Sequence, residues 1–395
     1  MGNASALRAG LHPRGPHARR ARVDRGAACG SGRVRAHRPR APRHVTRRRV
    51  AVLGATGAVG QAFVRLLVDH PWFELVEVAA SERSAGKRYD EATRWLGSEI
   101  PRQVAGMPVR SCDPGEVSAE IVFSALDSSV AGEAEQRFAA AGRWVISNAK
   151  NHRMEPDVPL VIAEVNPDHM ALLEAQRARR GWTGAIVTNG NCSTIALVSA
   201  IAPLHRAFGI RRAVVVTMQA VSGAGYPGVP SLDALGNVVP FIRDEEEKIE
   251  EETLKFLGTM EGEGIRPANV VVGAHTNRVP VENGHTICVS LELEHPVAPH
   301  EARAALLDWK GAPAARDLPT SPERPVIVRD EVDRPQPRRD AGSGGGMSTV
   351  VGRIRADPVL GLRMVAMAHN VVRGAAGAAV QNAELLVATG RMPSP

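Results

Sequence analysis

One cysteine sits where a nucleophile would be useful. In the stretch Thr188-Asn189-Gly190-Asn191-Cys192-Ser193-Thr194 a short apolar run ends in small polar residues. Ile195, Leu197, Val198, Ile201 and Leu204 then follow at helical spacing. Cys192 therefore stands at the turn into a helix. The field and free N–H groups of a helix start favour a thiolate and lower its pKa. The same N–H groups, with Asn191 as an additional donor, would hold an oxyanion forming on a carbonyl attacked by the sulfur. Sulfur attack on an aldehyde or acyl carbon also needs a group that takes and returns protons. His285 is the candidate: it opens a run in which Ile287, Val289, Leu291 and Leu293 alternate, so it shares their inward face. His275 and His369 are secondary candidates. Cys112 and Cys288 read as inert buried thiols.

A second feature supplies a partner for that chemistry. Gly54, Gly57 and Gly60 form G-x-x-G-x-x-G directly after the apolar run Val50–Leu53 and directly before an amphipathic segment. With Thr56, Ala58 and Val59 they make a strand–turn–helix loop whose backbone N–H groups would cradle a dinucleotide pyrophosphate. The next strand ends in Ser81-Glu82-Arg83-Ser84. Glu82 could hold a ribose hydroxyl, but Ser81, Arg83 and Ser84 suit a 2′-phosphate, so the expected cofactor is NADP. A nucleophilic thiol beside a nicotinamide site predicts hydride exchange with a thioester or hemithioacetal.

These residues need a scaffold. From residue 48 the chain alternates strand-like and helix-like segments with short turns, which predicts a doubly wound parallel sheet of the Rossmann type. Strands are expected at 73–81, 120–127 and 144–150, with a helix over 132–142. The second half differs. Runs at 211–221, 269–281, 285–295 and 347–355 alternate apolar with polar, and predict a largely antiparallel sheet with one covered face. Residues 243–258 predict a helix closed by Gly258. On composition alone its run of acids reads as a solvated face. Residues 311–346 read as a long excursion, and 362–390 as strand, loop and helix returning to the first domain. The expected organisation is a tail over 1–47, a cofactor domain over 48–191, a catalytic and dimerisation domain over 192–364, and a closing segment over 365–395.

Composition narrows the class. The 395 residues carry a formal charge of +7, but residues 1–50 hold 14 arginines and a single acid, so the rest of the chain is net acidic. The basic character belongs to an Arg-, Pro- and Gly-rich tail that cannot bury a core and reads as disordered. A transit peptide, a basic arm and translated upstream sequence are the readings open for it. Whole-chain charge gives no ground for a nucleic-acid partner. No run approaches the length of a membrane span. Four scattered cysteines without a C-x-x-C pair predict free thiols in a reducing, cytoplasmic setting and no metal site.

The motifs together resemble the aspartate-semialdehyde dehydrogenases, in their archaeal and fungal-like branch. The matching stretches are LGATGAVG (53–60), HRMEPDVPLVIAEVNPDH (152–169), GNCST (190–194), QAVSGAGYPGVPS (219–231), EEEKIEEETLK (245–255), RVPVENGHT (278–286) and HNVVRGAAGAAVQNAELL (369–386). The resemblance implies a glyceraldehyde-3-phosphate-dehydrogenase-like fold. It implies NADPH-dependent reduction of aspartyl phosphate to aspartate semialdehyde and phosphate, in lysine, threonine and methionine biosynthesis. It implies a homodimer or homotetramer joined across the antiparallel sheet. Carried over residue by residue, it makes Cys192 the nucleophile, His285 the acid/base and Gln219 the group that orients the acyl chain. Arg278 would bind the substrate carboxylate, Glu245 and Lys248 its amino group and phosphate, Arg153 the phosphate, and Asn191 would sit beside the sulfur. Ser222, Gly223, Asn370, Gly374 and Gly377 would line the nicotinamide side. Lys150 and Ala163 depart from the family pattern, Lys150 near the phosphate. A malonyl-CoA-reductase-type enzyme on the same scaffold is the alternative, and Glu245 paired with Lys248 argues for the amino-acid substrate. An idle dinucleotide sensor or RNA binder would not need Cys192, Gln219, Arg278 and His285 together.

Overall fold

A computed structural model describes residues 47–392. The predicted tail therefore lies outside the described residues, save for its last position.

The first sheet has six strands: β1 (Arg48–Leu53), β2 (Phe73–Ala80), β3 (Val109–Ser111), β4 (Ile121–Ser124), β5 (Trp144–Ser147) and β6 (Ala185–Thr188). Their order is β3-β2-β1-β4-β5-β6, and every pairing is parallel. The strand order reverses between β1 and β4, the place where open parallel sheets bind ligands at the strands' carboxyl ends. Both faces are covered. Val50 and Val52 enter one apolar core with helix α1 (Ala58–Leu67), while Ala51 and Leu53 enter another with helix α2 (Ser128–Ala140). Two-residue alternation in a strand buried on both sides gives this division. The predicted helix over 132–142 begins earlier, at Ser128, because Asp127 caps it by accepting from the Ser129 N–H.

Helices α3 (Leu172–Arg180) and α4 (Cys192–Phe208) follow, the second leading into β7 (Ile210–Gln219). Helix α5 (Glu245–Phe256) and a small hairpin, β8 (Thr259–Glu261) and β9 (Gly264–Arg266), come next. Then come β10 (Val271–Arg278), β11 (His285–Leu293), helix α6 (Pro299–Asp308), β12 (Val326–Arg329), β13 (Thr349–Asp357), β14 (Gly361–Ala368) and helix α7 (Gly377–Ala388). The second sheet runs β10-β7-β11-β14-β13-β12. Its three central pairings are antiparallel, and the two outer ones, β10 with β7 and β12 with β13, are parallel. The excursion over 311–346 is thus not all loop: Val326–Arg329 adds an edge strand. One face of this sheet is packed by α4, which buries its residues from Ser193 through Leu204. The other face leaves Val214 and Val271 48% and 67% exposed. Helix α7 returns to the first core through Ala379, Val380, Ala383, Leu385 and Leu386.

The acidic helix α5 is not a solvated face. Ile249 and Phe256 join the core under the second sheet. Glu246 and Glu250 accept the N–H groups of Thr276 (2.9 Å) and Ala274 (3.0 Å). Strand β10 is an edge, and these two carboxylates take backbone donors that would otherwise be left over. Leu257 ends the helix, one residue before the expected Gly258.

Candidate active site

Three strand ends of the second sheet meet at one place. In the β7–β10 register Gln219 faces Arg278, and β11 begins with His285 opposite Ala368 of β14. Strands β5 and β6 of the first sheet lead into Asn148 and into the Gly190–Cys192 turn. Among these ends lies a cavity of about 460 Å³. Cys192, Asn191, Gln219, Arg153, Arg278, Glu245 and Lys248 line it, along with Val59, Ser222, Gly223, Asn370 and Gly374. Residues spread over more than 300 positions of sequence thus converge on the predicted thiol.

Cys192 opens α4. The Asn191 side chain caps the helix, its Oδ1 accepting from the N–H of Ser193 (2.9 Å) and Thr194 (3.1 Å). Its Nδ2 donates to both oxygens of Glu245 at 2.9 Å. Asn191 is therefore a cap tied to α5, rather than a free donor aimed at an oxyanion. The sulfur lies 3.2 Å from Nε2 of the fully buried His285. On the ring's other side Nδ1 accepts the Ala220 N–H at 3.0 Å. The neutral ring accordingly carries its proton on Nε2, facing the sulfur. Gly374 closes the opposite side: a Cβ there would come within 2.7 Å of the Cys192 Cβ, so only glycine lets the chain pass so near the thiol.

Electrostatics at this site overturn one expectation. Burial and the Glu245 carboxylate push the Cys192 thiol up to about 12, against the opposing pull of Arg278, Arg153 and the Ser193 N–H. The helix start is outweighed by desolvation and a nearby negative charge. His285 moves the other way: burial, then Arg278 and His369, hold it down at about 3. The pair is thus neutral thiol with neutral imidazole.

The cationic groups are individually anchored. Arg278 Nη1 donates to the Ala220 carbonyl at 2.8 Å. Arg153 donates through Nη1 to Glu252 and through Nη2 to the Asn148 carbonyl, both at 2.8 Å. Its buried Nε has no hydrogen-bond partner among the described residues. Lys248 Nζ pairs with Glu245 at 2.9 Å, and Gln219 Nε2 donates to Glu245 at 3.2 Å. Lys150 also lines the cavity and pairs with Asp244 at 2.7 Å.

The cofactor loop has the features a pyrophosphate needs. Helix α1 starts after Gly57, and no side chain caps it. Its first N–H groups are therefore left to a ligand or to water. Ser81 and Arg83 stand exposed after β2, with Ser84 half-buried beside them. Asn370 Nδ2 donates to Ser222 Oγ at 2.8 Å, joining two predicted nicotinamide-side residues at the cavity. Gly377 is not at the cavity. A Cβ there would meet Met347 Sδ at 2.6 Å and the Val372 carbonyl at 2.8 Å, so this glycine serves packing. His275 is exposed on β10, and His369 lines a neighbouring pocket with its Nδ1 accepting from the Val371 and Val372 N–H groups. Cys288 is exposed on the sheet's outer face and Cys112 half-buried, so only Cys112 approaches the expected inert position.

Sequence reasoning missed two buried charges on α5, Glu252 and Lys255. The spacing Glu245, Lys248, Glu252, Lys255 repeats at three and four residues and marks one helix stripe, a signal present in the sequence.

Comparison with known proteins decides the family. Residues 49–173 match the semialdehyde dehydrogenase NAD binding domain, and residues 201–373 match the semialdehyde dehydrogenase dimerisation domain. The aspartate-semialdehyde dehydrogenase of Archaeoglobus fulgidus is 53% identical over 339 residues, covering 86% of this chain and 97% of that protein. The chain belongs to the aspartate-semialdehyde dehydrogenase family. A fungal aspartate-semialdehyde dehydrogenase, from Schizosaccharomyces pombe, is 46% identical over 87% of this chain and 99% of its own. Among solved structures, the Candida albicans aspartate semialdehyde dehydrogenase with NADP superposes with a TM-score of 0.81 at 40% identity, covering 88% of this chain and all of that one.

Proposed function

We propose that this site carries out the aspartate-semialdehyde dehydrogenase reaction, with Cys192 as nucleophile. Aspartyl phosphate, NADPH and a proton give aspartate semialdehyde, phosphate and NADP. The observation that carries the reading is the 3.2 Å contact of Cys192 Sγ with His285 Nε2 at a cavity lined by Arg153, Lys248 and Arg278 among five cationic side chains, and by Glu245.

In the acylation step the sulfur bonds to the acyl carbon and the bond from that carbon to the phosphate oxygen breaks. The thiol proton leaves with the phosphate. Arg153 and Lys248 offset the phosphate charge, and the planar fork of Arg278 suits the substrate's α-carboxylate. Glu245 suits its ammonium group. Gln219, at the end of β7, orients the acyl chain. NADPH, when bound, would supply the hydride for the thioester carbon; the C–S bond then breaks, the aldehyde leaves and the Cys192 sulfur takes back a proton. His285 holds the proton required at the carbonyl oxygen beside the sulfur. The uncapped α1 start and Ser81, Arg83 and Ser84 fit the pyrophosphate and 2′-phosphate of NADP, with Ser222, Gly223 and Asn370 on the nicotinamide side.

The chain acts as a homodimer or homotetramer in which two copies meet over the outer face of the second sheet, and it works in the cytoplasm. The dimerisation-domain match and the uncovered Val214 and Val271 support the first statement. Free Cys112, Cys192 and Cys288 support the second.

The test follows NADPH formation from aspartate semialdehyde with phosphate, and from malonyl semialdehyde with coenzyme A. Turnover of the first pair alone is expected. Preference for the second would reverse the substrate assignment. Cys192→Ala should abolish turnover while NADP binding, read by fluorescence, persists; unchanged turnover would remove the thioester route.

A further inference from the structure

Helix α5 carries a stripe of alternating charge, and its lower half has no role in the reading above. Glu252 is 2% exposed. Its Oε1 accepts from Arg153 Nη1 at 2.8 Å, and its Oε2 accepts the backbone N–H of Asn191 at 2.6 Å. One carboxylate thus grips the side chain of the phosphate-facing arginine and the residue immediately before the nucleophile. The fit is close. A Cβ on Gly190 would lie 2.5 Å from the Phe256 ring and 3.2 Å from Glu252 Oε2, so the nucleophile turn is seated directly on α5. One turn further on, Lys255 Nζ donates to the carbonyls of Arg153 (2.6 Å), Glu155 (2.7 Å) and Val158 (2.8 Å). Arg153 is therefore held by α5 at both its guanidinium and its backbone. Burial drives Lys255 down to about 8 despite three neighbouring carboxylates, a sign of how far this contact lies from water.

We propose that Glu252 is a positioning residue: it couples the anion-binding Arg153 to the turn that presents Cys192, so phosphate capture and nucleophile placement share one carboxylate. The proposal rests on the phosphate-dependent reading of the site. It adds a residue that touches neither substrate nor cofactor. A charged acceptor is required because both partners are donors. A carboxamide offers one oxygen and one NH2 group, so whichever way it turns, one donor faces another donor.

The test uses Glu252→Gln in the full chain, with inorganic phosphate as the probe. Phosphate should raise the melting temperature of the wild type, and the variant should need about tenfold more phosphate for the same rise, the scale of a lost charge-assisted hydrogen bond. In steady-state oxidation of aspartate semialdehyde, the KM for phosphate should rise by about the same factor and kcat should fall. The KM values for aspartate semialdehyde and NADP should stay within about twofold. A merely structural role would lower the melting temperature and the active fraction without moving the phosphate KM. That result, or three KM values rising together, overturns the proposal. Should Glu252→Gln not fold, Glu252→Asp keeps the charge but is too short to reach both partners, and the same split is expected. If the wild type fails to oxidise aspartate semialdehyde, the functional reading falls, while the phosphate melting titration still decides Glu252.

Discussion

At the scale of single residues, the surroundings of Cys192 favour its protonated form. Burial opposes the thiolate most, and the Glu245 carboxylate adds to it. Cys192 should therefore react slowly with iodoacetamide when its own peptide is followed by mass spectrometry, apart from the exposed Cys288. The alkylation rate should climb about tenfold per pH unit from 7 to 9 without levelling off, because only the thiolate fraction reacts. Glu245→Gln should speed alkylation at fixed pH, since it removes the opposing charge and leaves the burial. A plateau near neutrality in the wild type would contradict the raised thiol. The sequence made the nucleophile and its imidazole legible: small polar residues at a helix start, and an inward histidine leading a strand. It misjudged the thiol's ionisation. The helix start is a local feature, but Glu245 is 53 positions away and reaches Cys192 only through the fold.

At the scale of elements, buried polar side chains join segments that have no sequence relation. His70 after α1 donates from Nε2 to Glu384 of α7 at 2.7 Å, while its Nδ1 accepts from the Trp72 and Phe73 N–H groups. Thr320 adds a backbone and a hydroxyl donor to the same carboxylate. Burial raises the Glu384 pKa despite these partners. His70→Ala should cost about 3 kcal/mol in urea unfolding, since it leaves a buried carboxylate short of a donor. The pH sign follows from the raised pKa. Folded Glu384 binds its proton more tightly than unfolded, so its contribution is present below the ordinary carboxylate range and is lost as pH rises toward the folded value. Glu384→Gln should remove that decline. Periodicity revealed most of the strands, the helices after the glycine loop, at Cys192 and in the acidic run, and a strand, loop and helix within 362–390; it did not mark α3, α6, β3 or the β8–β9 hairpin. It gave no sign of β12, because a four-residue edge strand between Pro-rich stretches carries too short a pattern. The acidic helix deceived for a related reason. Glu246, Glu250 and Glu252 accept backbone N–H groups, and composition records charge but not its partner.

At the scale of the whole molecule, two sheets are joined by α4, whose first residue belongs to the site and whose body covers the second sheet. The sheet's other face has Val214, Val216, Cys288 and Val365 in adjacent register positions on β7, β11 and β14. With Val214 48% exposed, this is an apolar centre on an otherwise open surface. Val214→Glu should weaken self-association at least about tenfold in sedimentation, as expected for a charge placed in the middle of an interface. Unaltered sedimentation would move the contact elsewhere.

The Ala220 amide has a consequence for how protons travel. It occupies the ring nitrogen that points away from the sulfur. In a relay, an imidazole receives a proton on one side and releases it on the other; here the far side is blocked by a donor that the backbone cannot withdraw without bending β7's exit. His285 is left with a single working face. Whatever hydrogen it lends to the reacting carbonyl must be recovered through that same opening, so the site trades protons only with what stands in front of it and has no back door to solvent.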